Sequence, residues 1–203
     1  MRLLALVLLA ASAQAPPFTA TVSRVTRAEL GASWHAGCPV APTRLRRVRL
    51  MYRGFDGEAH MGALVVNEDT VPDVKRIFAH LYAGRFQIHR MRTIDAYDGS
   101  DDRSMAADNT SAFNCRPVTG DPGVWSEHAY GLAMDIDPLE NPYMAGGSIL
   151  PPAGARFTDR SLRVPGMIHD GDAVVRAFAS IGWGWGGHWS AAVDYQHFSA
   201  NGR

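Results

Sequence analysis

The sequence predicts a single α+β domain with a small, mostly antiparallel sheet, two main helices and long loops. Its 203 residues are enough for one ordinary domain. A content of 20 Gly and 12 Pro favours turns and loops over a helical bundle. At 46% hydrophobic and 20% charged residues, the chain is neither disordered nor a coiled coil. Two segments show helical periodicity, and several short segments alternate between apolar and polar residues as strands do. This combination is typical of an α+β domain.

The charge balance restricts the partners. Twenty Lys and Arg offset twenty Asp and Glu, so the formal net charge is zero. Binding to nucleic acid phosphates needs a clustered basic excess. We therefore expect no nucleic acid partner.

The N-terminus is typical of a signal peptide over residues 1–13. A positive start is followed by an apolar run over residues 3–11 and by small residues ending at Ala13. Cleavage after Ala15 also fits, but Pro16 would then follow the cut. A frayed core helix is the alternative interpretation. We expect an exported protein, periplasmic or secreted to the cell wall, without stable membrane insertion. Residues 14–32 then form a leader, and 33–203 the domain.

The expected export bears on the state of the two cysteines, because disulfides persist in oxidising compartments. Cys38 and Cys115 form an even pair in an oxidising compartment, which predicts a disulfide. The bond would stabilise the fold by about 2–4 kcal/mol. A zinc site here is disfavoured because His35 is the one nearby ligand type, and catalytic thiol chemistry is a minor alternative.

The first half of the chain predicts a hairpin and a helix. Residues 45–52 and 61–66 read as strands around a turn at 54–57. Thr70 predicts a helix N-cap, an apolar i, i+3, i+4, i+7 pattern follows to Leu81, and Gly84 ends the helix.

The remaining elements are shorter. Residues 91–94 suggest a short strand, and the acidic stretch 95–109 a long loop, which lacks the residue order of a calcium loop. Residues 141–166 predict another surface loop. A second helix begins at Asp170 or Asp172 and runs to Ile181.

One segment concentrates candidate ligands. Apolar and small or acidic residues alternate over 132–137, which predicts a strand with Asp135 and Asp137 on one face. His128 must fold back over this strand to share a metal ion with Asp135, and Gly131 is the residue that allows it.

A second segment adds a carboxylate and an imidazole. Asp194 precedes His197 by three residues, which would let a carboxylate accept a proton from a zinc-bound water. Glycines and tryptophans in 182–189 can wall a cleft, and Trp185 is predicted to contact substrate. Each spacing by itself is a weak signal.

Together the segments resemble a known family. Ser126-x-His128-x6-Asp135 followed by Asp194-x-x-His197 is similar to the VanY-type zinc D-alanyl-D-alanine carboxypeptidases, whose fold is shared with lysostaphin and the hedgehog signalling domain. The resemblance extends to residues 109–116, 141–143 and 184–187. It covers residues 33–198.

The resemblance implies roles for particular residues. His128, Asp135 and His197 would hold Zn²⁺ and leave a fourth position for water. Asp194 matches the family's general base. Arg116 would stabilise the oxyanion, although the spacing of its segment varies among relatives.

Other positions are less defined. Ser126 matches a family serine near the substrate. His188 and Ser199 stand where acidic residues are expected. His188 is an alternative ligand or a second acid/base, or else a surface or structural residue. Asp137 is expected to orient a ligand or bind backbone. The remaining histidines are expected to be mostly solvated: His35, His60, His80, His89 and His169.

We therefore expect a zinc peptidase acting on peptidoglycan stem peptides, with removal of the terminal D-Ala as the first choice of bond. Cleavage of an internal bond such as L-alanyl-D-glutamate is the alternative. A non-catalytic zinc-containing binding module and a wall-binding domain without metal are further hypotheses. We expect a monomer.

Overall fold

The computed structural model describes residues 16–203, which form the predicted α+β fold. The predicted signal peptide and both of its candidate cleavage sites, after Ala13 and after Ala15, lie outside the described residues. None of the helices within 16–203 combines the length and apolar character needed to cross a bilayer.

Most strands are short. In chain order they are β1 (Ala20–Arg24), β2 (Leu45–Arg53), β3 (Ala59–Asn67), β4 (Pro117–Val118), β5 (Asp121–Trp125), β6 (Ala133–Asp135), β7 (Tyr143–Ala145), β8 (Ser148–Leu150), β9 (Gly184–Trp185), β10 (Val193–Asp194) and β11 (His197–Ser199). The helices are α1 (Arg27–Leu30), α2 (Val71–Ala83), α3 (Asp101–Ala106) and α4 (Ala173–Ala179).

The predicted hairpin supplies two of the three strands of the largest sheet. β2 pairs with β3 along its whole length, and β1 adds a third antiparallel strand. Val48 and Leu50 of β2 and Leu64 and Val66 of β3 are fully buried in the main core. This alternation buries one sheet face, against which α2 packs.

Residues 20–30, within the predicted leader 14–32, pack against the rest of the fold. β1 lies within it and pairs with β2, and Leu30 of α1 is buried in a second core cluster with Leu45 and Phe113. β1 is an edge strand with mostly exposed side chains, so its composition carried little strand signal.

The helix predicted from Thr70 is α2, and it stops before Gly84 as expected. Thr70 does not cap it with its side chain, whose hydroxyl instead donates to the Asn67 carbonyl at 2.9 Å. A 3₁₀ turn over Glu68–Thr70 leads the chain directly into the helix.

Two predicted loops contain regular structure. Residues 95–109 include α3, whose N-cap Ser100 accepts from the Arg103 amide at 3.2 Å. Residues 141–166 include the β7–β8 hairpin. Both elements are too short for hydrophobic periodicity to reveal them. Conversely, the strand expected at 91–94 is reduced to one isolated bridge between Met91 and Thr110.

A second sheet brings distant segments together. β11 pairs with both β6 and β9, and the partner of His197 in β6 is Asp135. Asp172 caps α4, which packs beside this sheet; the helix ends at Ala179, before the predicted Ile181.

Cys38 and Cys115 form the predicted disulfide, with their Cα atoms 5.8 Å apart. The bond joins the N-terminal segment to the chain just before β4 in the second core cluster.

Candidate metal centre

Three buried side chains converge on one point. His128 Nε2 lies 3.2 Å from His197 Nδ1 and 3.1 Å from Asp135 Oδ2, and His197 Nδ1 lies 3.1 Å from Asp135 Oδ1. Ligands of one tetrahedral zinc ion are separated by about 3–3.5 Å, given bonds of about 2.0–2.2 Å. The sequence-predicted donors are thus close enough to share one ion.

A tight turn carries His128 back over β6. The hydroxyl of Ser126 accepts from the His128 amide at 3.3 Å and caps a 3₁₀ turn that ends at Gly131. Gly131 has φ +70°, and a Cβ there would lie 2.6 Å from the Asn67 nitrogen. Only glycine combines this backbone conformation with so close an approach to β3.

Backbone carbonyls orient both imidazoles. His128 Nδ1 lies 2.6 Å from the Ala112 carbonyl oxygen, and His197 Nε2 lies 3.3 Å from the Arg203 backbone oxygen. Because a carbonyl can only accept, these ring nitrogens carry the hydrogens. When both rings are neutral, the facing nitrogens are then two unprotonated lone pairs 3.2 Å apart. A cation between them removes this repulsion, and such outer partners are typical of metal-bound histidines.

The groups around Asp135 favour its ionised form, which can bind a cation. Burial by itself would raise the pKa of Asp135, but the imidazoles of His128 and His197 hold that pKa well below its ordinary value. Two imidazole nitrogens and one carboxylate make the donor set of a catalytic zinc site. These residues therefore fit the metal that the resemblance implies.

Asp194 lies beside this cluster at the end of β10, where it pairs with Tyr143 of β7. Its Oδ1 atom is buried and has no hydrogen-bond partner among residues 16–203. Burial, followed by the charge of Asp135, raises the pKa of Asp194 to about 7, although His197 and Arg116 oppose the shift.

Arg116 forms an ion pair with Asp101 of α3. Its Nε lies 3.0 Å from Asp101 Oδ2, and its side chain is 22% exposed. Burial tends to lower the pKa of Arg116, but the charges of Asp101, Asp135 and Asp194 raise it above its ordinary value. The Arg116 guanidinium is therefore within electrostatic reach of Asp135 and Asp194.

Asp101 was missed by sequence reasoning. It belongs to α3, in the stretch read as an acidic loop, and its pairing with Arg116 arises only when that helix forms. The carbonyls of Ala112 and Arg203 have no side-chain signature, so no sequence pattern could have indicated them.

Other predicted residues occupy different places. Ser126 is buried as the cap of the His128 turn. Trp185 is 6% exposed in the main core, and its indole donates to the Tyr195 carbonyl at 2.9 Å. This position favours a packing role, so contact of Trp185 with substrate stays a prediction. His188 lies outside the cluster, with Nε2 2.8 Å from Asp170 Oδ1.

Asp137 does not join the donor group. It lies two residues beyond the end of β6 with φ +43°, and its Oδ1 accepts from the His89 amide at 2.9 Å, in keeping with the expected backbone contact. Of the histidines expected to be solvated, His169 is half-buried and the others are exposed: His35, His60, His80 and His89.

Residues 119–200 match the family model described as D-alanyl-D-alanine carboxypeptidase. The predicted resemblance to these carboxypeptidases is confirmed over that segment. It contains the three donors and Asp194, whereas Arg116 lies just before it. The match supports a peptidase of this type. Neither the curated proteins nor the solved structures gave a match.

Proposed function

We propose that the protein is an exported zinc peptidase that hydrolyses peptidoglycan stem peptides and removes the terminal D-Ala. The observation that carries the proposal is the convergence of His128, Asp135 and His197, with their free donor atoms turned toward one another. The family match over residues 119–200 supports the substrate class.

Metal binding and proton transfer fall to different residues of the chain. His128, Asp135 and His197 would hold zinc, which when bound supplies a Lewis acid and lowers the pKa of water toward about 7. Asp194 accepts a proton at Oδ1 from the attacking water and delivers it to the leaving amine. A cation at the cluster favours the ionised form of Asp194, because opposite charge lowers a carboxyl pKa.

Arg116 stabilises the negative charge that develops on the scissile carbonyl oxygen. Its guanidinium, fixed by Asp101, hydrogen-bonds the scissile carbonyl oxygen as that oxygen becomes an oxyanion. Because the ion pair holds the guanidinium before substrate arrives, little reorganisation is needed in the transition state.

Product analysis tests the proposal. Zinc-loaded protein is incubated with a stem pentapeptide, and the products are identified by mass. Release of one alanine is the expected result. Cleavage nearer the sugar end would show instead that the enzyme cuts an internal bond such as L-alanyl-D-glutamate. If zinc-loaded protein gives no product, peptidase activity is contradicted.

A further inference from the structure

A pocket of about 640 Å³ opens beside the β2–β3 hairpin. None of its lining residues is assigned to the metal or the scissile bond. They come from β2, β3, the turn between them and the chain before α3: Arg49, Tyr52, Gly54, Phe55, Asp56, His60, Met61, Gly62, Ala63, His89, Arg90, Met91, Arg92, Thr93 and Ala96. The volume lies within the range typical of small-molecule sites.

The pocket concentrates positive charge. Arg49, Arg90 and Arg92 have neither an ion pair nor a side-chain hydrogen bond among the described residues, whereas Arg44, outside the pocket, is paired with Glu68 and Asp69. Unpaired guanidiniums around a concave surface raise the local concentration of anions.

The acidic groups near the pocket do not neutralise it. Asp56, the one carboxylate among the lining residues, is engaged by His60 Nε2 at 2.9 Å and by the Glu58 amide at 2.9 Å. Asp137, behind the wall, accepts from the His89 amide, and Asp108 Oδ2 lies 3.3 Å from His89 Nδ1. Three guanidiniums are therefore left for an external partner.

The arginines are set on a fixed backbone. Arg90 and Arg92 flank the buried Met91, and both line the pocket. The Asn109 side chain binds the Arg92 backbone at both N (2.8 Å) and O (3.0 Å), and the Thr110 amide binds the Arg90 carbonyl at 2.8 Å. Three guanidiniums around one pocket suit a ligand with more than one negative group.

Rings line the space between the charges. Tyr52 stacks on His60 with ring centroids 5.5 Å apart, and Phe55 lies 5.4 Å from the ring of His89. Burial and the charges of Asp137 and Asp56 raise the pKa of Tyr52, whereas Arg90 and Arg92 act to lower it, so both guanidiniums lie within electrostatic reach of this ring. Such surfaces accept the carbon skeleton of an organic ligand.

We propose that this pocket binds an anionic chain molecule, whose phosphate or carboxylate groups pair with Arg49, Arg90 and Arg92 and whose skeleton packs on the rings. Arginine forks match both kinds of group. The proposal does not depend on the peptidase activity, since the pocket shares no residue with the metal centre.

Binding of two probes tests it by calorimetry on the zinc-loaded protein at low ionic strength: an oligomer of glycerol phosphate and an oligogalacturonate of equal charge. The triple variant Arg49→Gln/Arg90→Gln/Arg92→Gln removes the three guanidiniums. The control Arg24→Gln/Lys75→Gln/Arg85→Gln removes the same charge from exposed positions outside the pocket. Circular dichroism verifies folding, and single variants at the exposed Arg49 and Arg92 replace the triple variant if it does not fold.

We expect the native protein and the control to bind at least one probe, and the triple variant to bind it at least about tenfold more weakly, which corresponds to about 1.4 kcal/mol. Each single variant should lose about threefold. Loss confined to one probe identifies the phosphate or the carboxylate as the ligand group. Equal binding by native and pocket variants, equal loss in the control, or no binding of either probe by the native protein would overturn the proposal.

Discussion

Opposing effects act on the pKa of Asp194. Burial and the charge of Asp135 disfavour its ionisation, whereas His197 and Arg116 favour it, and its Oδ1 atom is left without a partner in the described chain. A buried carboxylate with a free oxygen next to a candidate cation site is suited to accepting and returning a proton.

Removing this carboxylate should separate catalysis from metal binding. We expect Asp194→Ala to retain zinc and to lose about 10²–10⁴-fold in kcat, the usual contribution of a general base. Turnover on a stem peptide and metal content by atomic absorption are measured together. Asp170→Ala removes an exposed carboxylate outside the cluster and should leave both unchanged. Native-like hydrolysis by Asp194→Ala would refute the role.

Asp101 is predicted to act through Arg116. Without its charge the guanidinium loses its fixed partner, so Asp101→Asn should lower kcat/KM about tenfold, mainly through kcat. Asp102→Asn is the matched control, because it removes an exposed charge from the same first helical turn.

A double-mutant cycle distinguishes this positioning role from a general effect on stability. In the background of Arg116→Ala, the further change Asp101→Asn should have almost no effect on kcat/KM. Full additivity of the two changes would show that Asp101 acts independently of Arg116.

At the scale of elements, the turn after Ser126 decides where His128 lies. Its C-terminal residue Gly131 has φ +70° and touches β3, so the turn is fixed both by its own conformation and by the hairpin. The candidate metal centre and the hairpin are therefore coupled through one glycine.

Gly131→Ala should cost about 2–5 kcal/mol of unfolding free energy, since the left-handed conformation and the contact with Asn67 both penalise a Cβ. Zinc affinity should fall with it, because His128 is displaced. Gly120→Ala is the control: its φ is +83°, but no atom lies within 4 Å of the added Cβ. It should cost only about 1–2 kcal/mol and leave zinc affinity intact. Equal effects of both changes, measured by urea unfolding and zinc titration, would contradict the coupling.

Sequence reasoning predicted elements with a strong period and missed those without one. The β2–β3 hairpin and α2 follow from alternation and from the spacing of Val74, Ile77 and Leu81, which the core confirms. α3 and the β7–β8 hairpin span few residues each and depend on tertiary contacts. The gathering of Asp135 and His197 follows from strand pairing across 62 residues, which local patterns do not encode.

Across the whole molecule, buried acids make stability depend on pH. Burial and the charge of Asp108 raise the pKa of Glu140 to about 8, against 4.5 as its ordinary value. The folded state thus binds this proton more tightly than the unfolded state. Its contribution is fully present below about pH 4.5 and is lost as the pH rises through about 8.

Glu140→Gln should therefore flatten the pH dependence. We expect its free energy of unfolding to fall less than that of the native protein between about pH 4.5 and about pH 8. Urea unfolding across this range provides the measurement, with the exposed Glu58→Gln as control. An unchanged slope in Glu140→Gln would show that this carboxyl does not set the dependence.

The central claim is that His128, Asp135 and His197 bind one zinc ion, and calorimetric zinc titration of the purified metal-free protein tests it most directly. We predict one equivalent bound by the native protein and by His188→Ala, and tight binding abolished in His128→Ala, Asp135→Ala and His197→Ala variants that remain folded. A folded native protein that takes up no zinc, or folded variants of the three residues that still bind it tightly, would contradict the account.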